Sequence, residues 1–410
     1  MNTQASKPLA PLTVLWCGAL ILTLSLGARH AFGLFLQPMS MENGWGREVF
    51  AFAIALQNLC WGLAQPFVGR AADKLGAGLT MTVGGILYVV GMVLMSQADT
   101  PGGLALCGGI LIGLGLSGTT FPVVFGAVSR VLPPEKRSMA MGVSMALGSI
   151  GQFAFLPMGL GFINAFGWET ALILLSAFVA LIIPLAYPLM STPRSKVETD
   201  APELTLGMWG SMGFALKNKA FLMLSLGYFV CGFQLIFITI HLPSFLLDQG
   251  IAPRAGSNAL ALIGLFNILG SYLAGYLGSK YRKPLVLSSI YGLRGVLIFA
   301  FILTPISELT VYLFAAGMGV LWLSTVPLTT GTVGAMFGVK SLSMLSGLVF
   351  LFHQVGAFIG GWMGGILFDA TGSYMIVWWI SIALSVIATV VNLPLKEVSA
   401  VQKQAAHAAV

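Results

Sequence analysis

Two arginines and three histidines lie inside otherwise apolar stretches of this 410-residue chain, and few other residues there can carry a charge or move a proton. A guanidinium at depth in an apolar medium costs several kcal/mol unless something satisfies it. Arg29 sits in the first apolar stretch with no acid near it in sequence, so an anionic solute is a fitting counter-ion. Backbone carbonyls or an outward reach to water are the purely structural alternatives. Arg294, in the ninth stretch, is expected to be structural and to contact the eighth. His30, His241 and His353 have an unperturbed pKa near physiological pH, which suits proton transfer. His353 is the best placed, beside Gln354.

Amides and aromatic rings accompany these groups. Gln57, Asn58, Gln65, Gln152, Gln234, Asn267 and Gln354 fall in apolar stretches that also hold Phe32, Phe121, Phe125, Phe153, Phe233, Trp322 and Phe352. Together they can grip a planar solute with polar edges, although amides also serve as glue between helices. The expected solute-binding set is Arg29, Phe32, Gln152, Gln234, Asn267, His353 and Gln354. Enzyme chemistry is not expected, because none of the 13 acids lies deep in an apolar stretch to work beside a histidine. Neither a cofactor nor a metal is expected: Cys17, Cys60, Cys107 and Cys231 have no metal-ligand spacing. No Walker-type loop is present for ATP.

The elements that position these residues follow from composition. With 57% hydrophobic and 8% charged residues and a mean hydropathy of +0.92, the chain cannot coat a water-soluble surface, and the lipid bilayer is its solvent. The first run, Leu12 to Leu36, is too long for a signal-peptide core and reads as a retained helix. Polar and Gly/Pro punctuation gives twelve spanning helices: 12–36, 48–68, 79–97, 103–129, 139–163, 169–190, 221–244, 256–278, 285–304, 309–337, 341–368 and 375–394. The net charge of +7 sits in short clusters between them, as orientation signals do, and implies no nucleic-acid partner. With the N-terminus inside, Lys7, Arg70, Lys74, Arg130, Lys136, Arg137, Arg194, Lys196, Lys217, Lys219, Lys280, Arg282, Lys283, Lys340, Lys396 and Lys403 are cytoplasmic, and Arg47 and Arg254 are outside. Both termini are therefore expected on the cytoplasmic face of the inner membrane.

The polar stretch from Ser191 to Glu203 divides the helices six and six. Beyond it Leu204, Met208, Met212 and Leu216 form a stripe suited to a helix on the membrane surface. The expected organisation is a bundle over 1–190, a linker with an interfacial helix over 191–220, a second bundle over 221–395 and a tail over 396–410, in a monomer. At an offset of 206 Gly69 meets Gly275, Lys74 meets Lys280, Phe162 meets Phe368 and Trp168 meets Tyr374, a faint internal repeat.

Between the second and third helices stands Gly69-Arg70-Ala71-Ala72-Asp73-Lys74-Leu75-Gly76. Its glycines permit a tight turn, and Asp73 can hold the positive end of a neighbouring helix. The loop resembles the signature of the major facilitator superfamily. That resemblance implies an all-α membrane protein of two pseudo-symmetric six-helix bundles about a central cavity, with Gly69, Asp73, Lys74 and Gly76 in the gate and Asp73 latching the cytoplasmic side when the cavity faces out. The matching loop Gly275-Tyr276-Leu277-Gly278-Ser279-Lys280 has Ser279 in place of the acid, so the latch should be asymmetric. Gly27 to Pro38, then Gly44-Trp45-Gly46-Arg47 and Gln65-Pro66, are similar to bacterial relatives of the monocarboxylate porters. Members of that group often carry an acid and a base in the eighth helix, and here Asn258 to Gly278 holds neither. The resemblance implies proton-coupled uptake of a small organic monocarboxylate. Because some riboflavin carriers resemble the same branch, a neutral aromatic vitamin is the alternative cargo.

Overall fold

The computed structural model describes residues 11–45, 47–191 and 206–400. Lys7, the linker cations Arg194 and Lys196, and Lys403 lie outside the described residues. Eleven helical stretches are long and apolar enough to cross a membrane. Only a helix or a closed barrel satisfies every backbone group in hydrocarbon, which is why so apolar a chain resolves into helices. In order they are α1 (Pro11–Glu42), α2 (Val49–Leu75), α3 (Ala77–Met95), α4 (Pro101–Val131), the stretch Pro134–Met190, then α8 (Lys219–Asp248), α9 (Arg254–Lys280), α10 (Lys283–Leu303), α11 (Glu308–Phe337), α12 (Leu342–Thr371) and α13 (Met375–Asn392). The stretch Pro134–Met190 has 57 residues, about 85 Å at 1.5 Å per residue against a hydrocarbon core of about 30 Å. It breaks at Gly167, whose φ of 80° only glycine adopts freely. It is therefore two crossings, α5 (134–166) and α6 (168–190), and the crossings number twelve. The interfacial helix, α7 (Met208–Lys217), precedes α8.

Three spans depart from regularity. In α1 a 3-10 turn at Phe32–Phe35 joins two α-helical segments, carrying the span to Glu42 rather than ending it at residue 36. Pro38 is tolerated because it falls in the first turn of the second segment. α4 contains a π-helical stretch, Ala105–Leu111, and breaks at Thr120 ahead of Phe121-Pro122. α11 unwinds between Leu321 and Thr325, ahead of Val326-Pro327.

Within the first half α1 packs on α5 and α3 on α4; within the second α8 packs on α12 and α10 on α13. The halves meet along two seams, α2 against α12 and α5 against α9. α7 carries Met208 and Met212 against the core while Trp209 is 69% exposed, lying edge-on over Phe67 at 6.0 Å. Leu216 of the expected stripe is exposed, and Leu204 lies outside the described residues.

Candidate functional site

Arg29, Asn58, Trp61 and Gln354 converge from α1, α2 and α12. Asn58 and Trp61 are one helical turn apart, so both face α1. The half-buried Arg29 donates from Nη2 to Asn58 Oδ1, and its guanidinium carbon lies 5.0 Å from the centroid of the Trp61 ring. Across the seam, Gln354 Nε2 donates to the backbone carbonyl of Asn58 at 3.0 Å. His353 Nδ1 is 3.2 Å from Gln354 Oε1, and its ring stacks on Phe350 and lies against Tyr228. Trp61 packs against Phe350 at 4.8 Å and Phe121 at 5.8 Å. Arg29 has no carboxylate partner among the described residues, where the two ion pairs are Arg130–Asp73 and Lys283–Glu397. Arg29 Nε is buried without a hydrogen bond. A half-buried cation held by an amide and an aromatic face keeps its charge available to an anion.

The structure brings Arg29, His353 and Gln354 of the expected set into one layer and takes the others elsewhere. Phe32 is buried edge-on against Tyr88. Gln152 is half-buried on α5, where its neighbour Phe153 lines a cavity of about 310 Å³ with Asn258, Leu262 and Tyr312. Gln234 donates to the Ser381 carbonyl at 3.0 Å and Ser385 Oγ at 2.6 Å, and accepts from Arg294. Arg294, fully buried, donates to the carbonyls of Leu321 and Trp322, while Asn267 Oδ1 accepts from the Leu323 amide at 2.9 Å. Arg294 and Asn267 therefore satisfy the backbone freed where α11 unwinds, as irregular backbone within a membrane requires. His241 bonds the Gly361 carbonyl at 2.8 Å, a structural role.

The first half repeats this arrangement. Trp61 Nε1 donates to Thr120 Oγ1 at 3.1 Å and Gln65 Nε2 to the Ser117 carbonyl at 2.8 Å, beside the break in α4. Thr120-Phe121-Pro122 and Thr325-Val326-Pro327 stand 205 residues apart, and Trp61 and Asn267 stand 206 apart. Sequence reasoning passed over Trp61. The repeated Thr-x-Pro, within one residue of the offset seen in Gly69 and Gly275, was the signal that could have pointed to it, because interrupted helices at matching positions mark the central site.

At one end of the molecule the seams close. Asp73 pairs with Arg130 and accepts from the backbone amides of Ser343 at 3.3 Å and Met344 at 2.9 Å, in the first turn of α12. A carboxylate there meets the positive end of the helix dipole, the arrangement expected of Asp73. Gly69 lies directly against the Ser343 backbone, Lys74 is exposed, and Gly76 makes the turn into α3 at φ 109°. On the other seam a Cβ at Gly142 would stand 2.5 Å from Gly275 Cα. Ser279 bonds within its own helix, to Tyr276 O at 2.7 Å, so among the described residues the carboxylate contacts made by Asp73 have no counterpart at Ser279 on the other seam. Asn58 lies fifteen residues before Asp73 on α2, about 22 Å along the axis, which puts the Arg29 layer deep in the span.

A sequence profile of the Major Facilitator Superfamily matches residues 15–330 and 224–409, and the chain belongs to that superfamily of membrane transporters. It is 23% identical over 373 residues to an uncharacterized MFS-type transporter, YcxA of Bacillus subtilis (strain 168), covering 89% of this chain and 90% of the relative. It is 26% identical over 367 residues to monocarboxylate transporter 13 of Rattus norvegicus, covering 86% and 81%. Among solved structures, the transporter FucP in its outward conformation superposes with a TM-score of 0.73 at 13% identity, over 92% of this chain and 97% of that one. The proton:xylose symporter XylE superposes with a TM-score of 0.72 at 12% identity, over 97% and 98%. These likenesses establish the fold: twelve membrane helices in two pseudo-symmetric bundles.

Proposed function

We propose that the chain carries a small organic monocarboxylate together with a proton across the cytoplasmic membrane by alternating access. In this reading the bundles are residues 1–190 and 221–395, residues 191–220 link them, the tail is 396–410, the protein works as a monomer, and both termini are cytoplasmic. The observation that carries it is Arg29, a deep cation with an amide and an aromatic ring for partners and no carboxylate among the described residues. The monocarboxylate transporters among the relatives support the same cargo. The closed seams at the Asp73 end correspond, in this orientation, to a cavity facing outward. A second reading draws on Trp61, Phe121, Phe350 and Tyr228, whose rings border the same amides and suit a neutral planar vitamin such as riboflavin. Uptake of labelled lactate and of riboflavin into vesicles holding the purified protein, with and without an inward-directed proton gradient, separates the two. Riboflavin uptake without lactate uptake would overturn the monocarboxylate reading.

In this mechanism the carboxylate binds Arg29 while the Asp73 end is closed. Charge neutralisation in the layer then lets the α2–α12 and α5–α9 seams part. His353, hydrogen-bonded to Gln354 in the same layer, takes the coupled proton. His353→Gln is expected to abolish accumulation driven by a pH gradient while substrate exchange continues. Unchanged pH-driven accumulation removes His353 from the coupling step.

Asp73→Asn keeps an acceptor for the first turn of α12 but loses the charge and the Arg130 pair. The closed state should weaken by about 1–2 kcal/mol, slowing turnover roughly 5- to 30-fold with little change in KM. Initial rates across substrate concentrations check this, and a raised KM at normal turnover contradicts it.

A further inference from the structure

Away from the central layer, at the Asp73 end, a cavity of about 490 Å³ opens between α7, the start of α8, the end of α11 and the chain beyond α13. That volume is within the range of about 300–1,000 Å³ typical of small-molecule sites. Lys217, Lys219 and Lys396 stand around it, all exposed, with Met223 and Met336 as its apolar wall. No acid lines it. The nearest acid in sequence, Glu397, is bound to the Lys283 amide at 2.6 Å and its ammonium at 3.3 Å, so it does not neutralise these lysines. The described ion pairs use none of the three. Asn218 caps α8 by accepting from the Ala220 and Phe221 amides, and the positive end of that helix adds to the same potential.

Depth selects the ligand. The cavity is built from helix ends beside a surface helix whose Trp209 is exposed, which is the level of lipid headgroups. Below the lysines Leu222 is exposed on the face of α8, a path for an acyl chain. A phosphate held by three ammonium groups above an apolar wall matches an anionic lipid better than a soluble anion, which has no use for Met223 and Met336. We propose that this cavity binds the phosphodiester of an anionic glycerophospholipid, tying together the ends of α8, α11 and α13.

The test titrates the purified full-length protein in detergent with phosphatidylglycerol, phosphatidylcholine or inorganic phosphate, reading bound lipid by native mass spectrometry and melting temperature in parallel. Phosphatidylglycerol should bind tighter than phosphatidylcholine, and the Lys217→Gln/Lys219→Gln/Lys396→Gln protein should lose about fivefold per lysine, on the order of 100-fold in all. Replacing the same three lysines by Arg should retain binding, and Lys136→Gln, an exposed cation elsewhere at this end, should leave it unchanged. Equal binding of the two lipids, or equal loss in Lys136→Gln and the triple Gln variant, overturns the site. Stabilisation by inorganic phosphate as large as that by phosphatidylglycerol makes it a soluble-anion site and overturns the lipid assignment.

Discussion

Arg29→Gln is expected to weaken monocarboxylate binding by about 2–4 kcal/mol, as truncation of one partner of a buried charge pair does, or roughly 30- to 900-fold in affinity. Gln removes the guanidinium charge and the fork of donors that matches a carboxylate. The fold should survive, because Asn58 Oδ1 keeps Gln354 Nε2 at 3.5 Å as a donor and its backbone carbonyl keeps the same amide. Arg29→Lys should lose less, since the charge stays over Trp61 but the bidentate geometry goes. A neutral vitamin should bind both variants nearly as well as the unaltered protein. Substrate affinity measured on purified protein, with membrane levels of each variant as control, decides between the cargoes. Normal monocarboxylate affinity in Arg29→Gln ends the anion-site reading.

Gly142→Val should nearly stop transport while leaving each half folded. An added Cβ meets Gly275 Cα at 2.5 Å and Ser271 O at 2.8 Å, backbone atoms of the opposite half that cannot rotate aside. Overpacking of this kind costs about 1–3 kcal/mol, which shifts the balance away from closed seams roughly 5- to 150-fold. Every cycle must pass through closure at this end, so turnover falls with the closed population. A reporter Ser138→Cys, in a protein whose four native cysteines are Ser, reads the shift directly: Ser138 is 2% exposed and lies against Gly278. Thiol labelling should accelerate when Gly142→Val is added. Unchanged labelling and unchanged transport would show that the α5–α9 seam does not limit the cycle.

The division of information is visible at particular residues. Asp73 was readable because its partner is a helix N-terminus, a backbone feature that a local motif anticipates without knowing which helix supplies it. Arg29 was readable as a cation without a carboxylate, since a scarcity of interior acids is a property of composition. Gln234 and Asn267 have the same chemistry as Gln354, and nothing local separates them. What separates them is a broken turn in α11, which takes Asn267 and Arg294, and a neighbouring helix, which takes Gln234.

The sequence by itself determined that lipid is the solvent and that the chain crosses it twelve times, because hydropathy and its polar and glycine punctuation are written along the chain. Tertiary structure alone decided which amides face the layer between the halves, that Trp61 and Asn58 hold Arg29, and which end is closed. These depend on helix rotation and on contacts across some 300 residues, such as Asn58 with Gln354, and an apolar helix surrounded by lipid and protein carries too little amphipathic pattern to announce which face it turns inward.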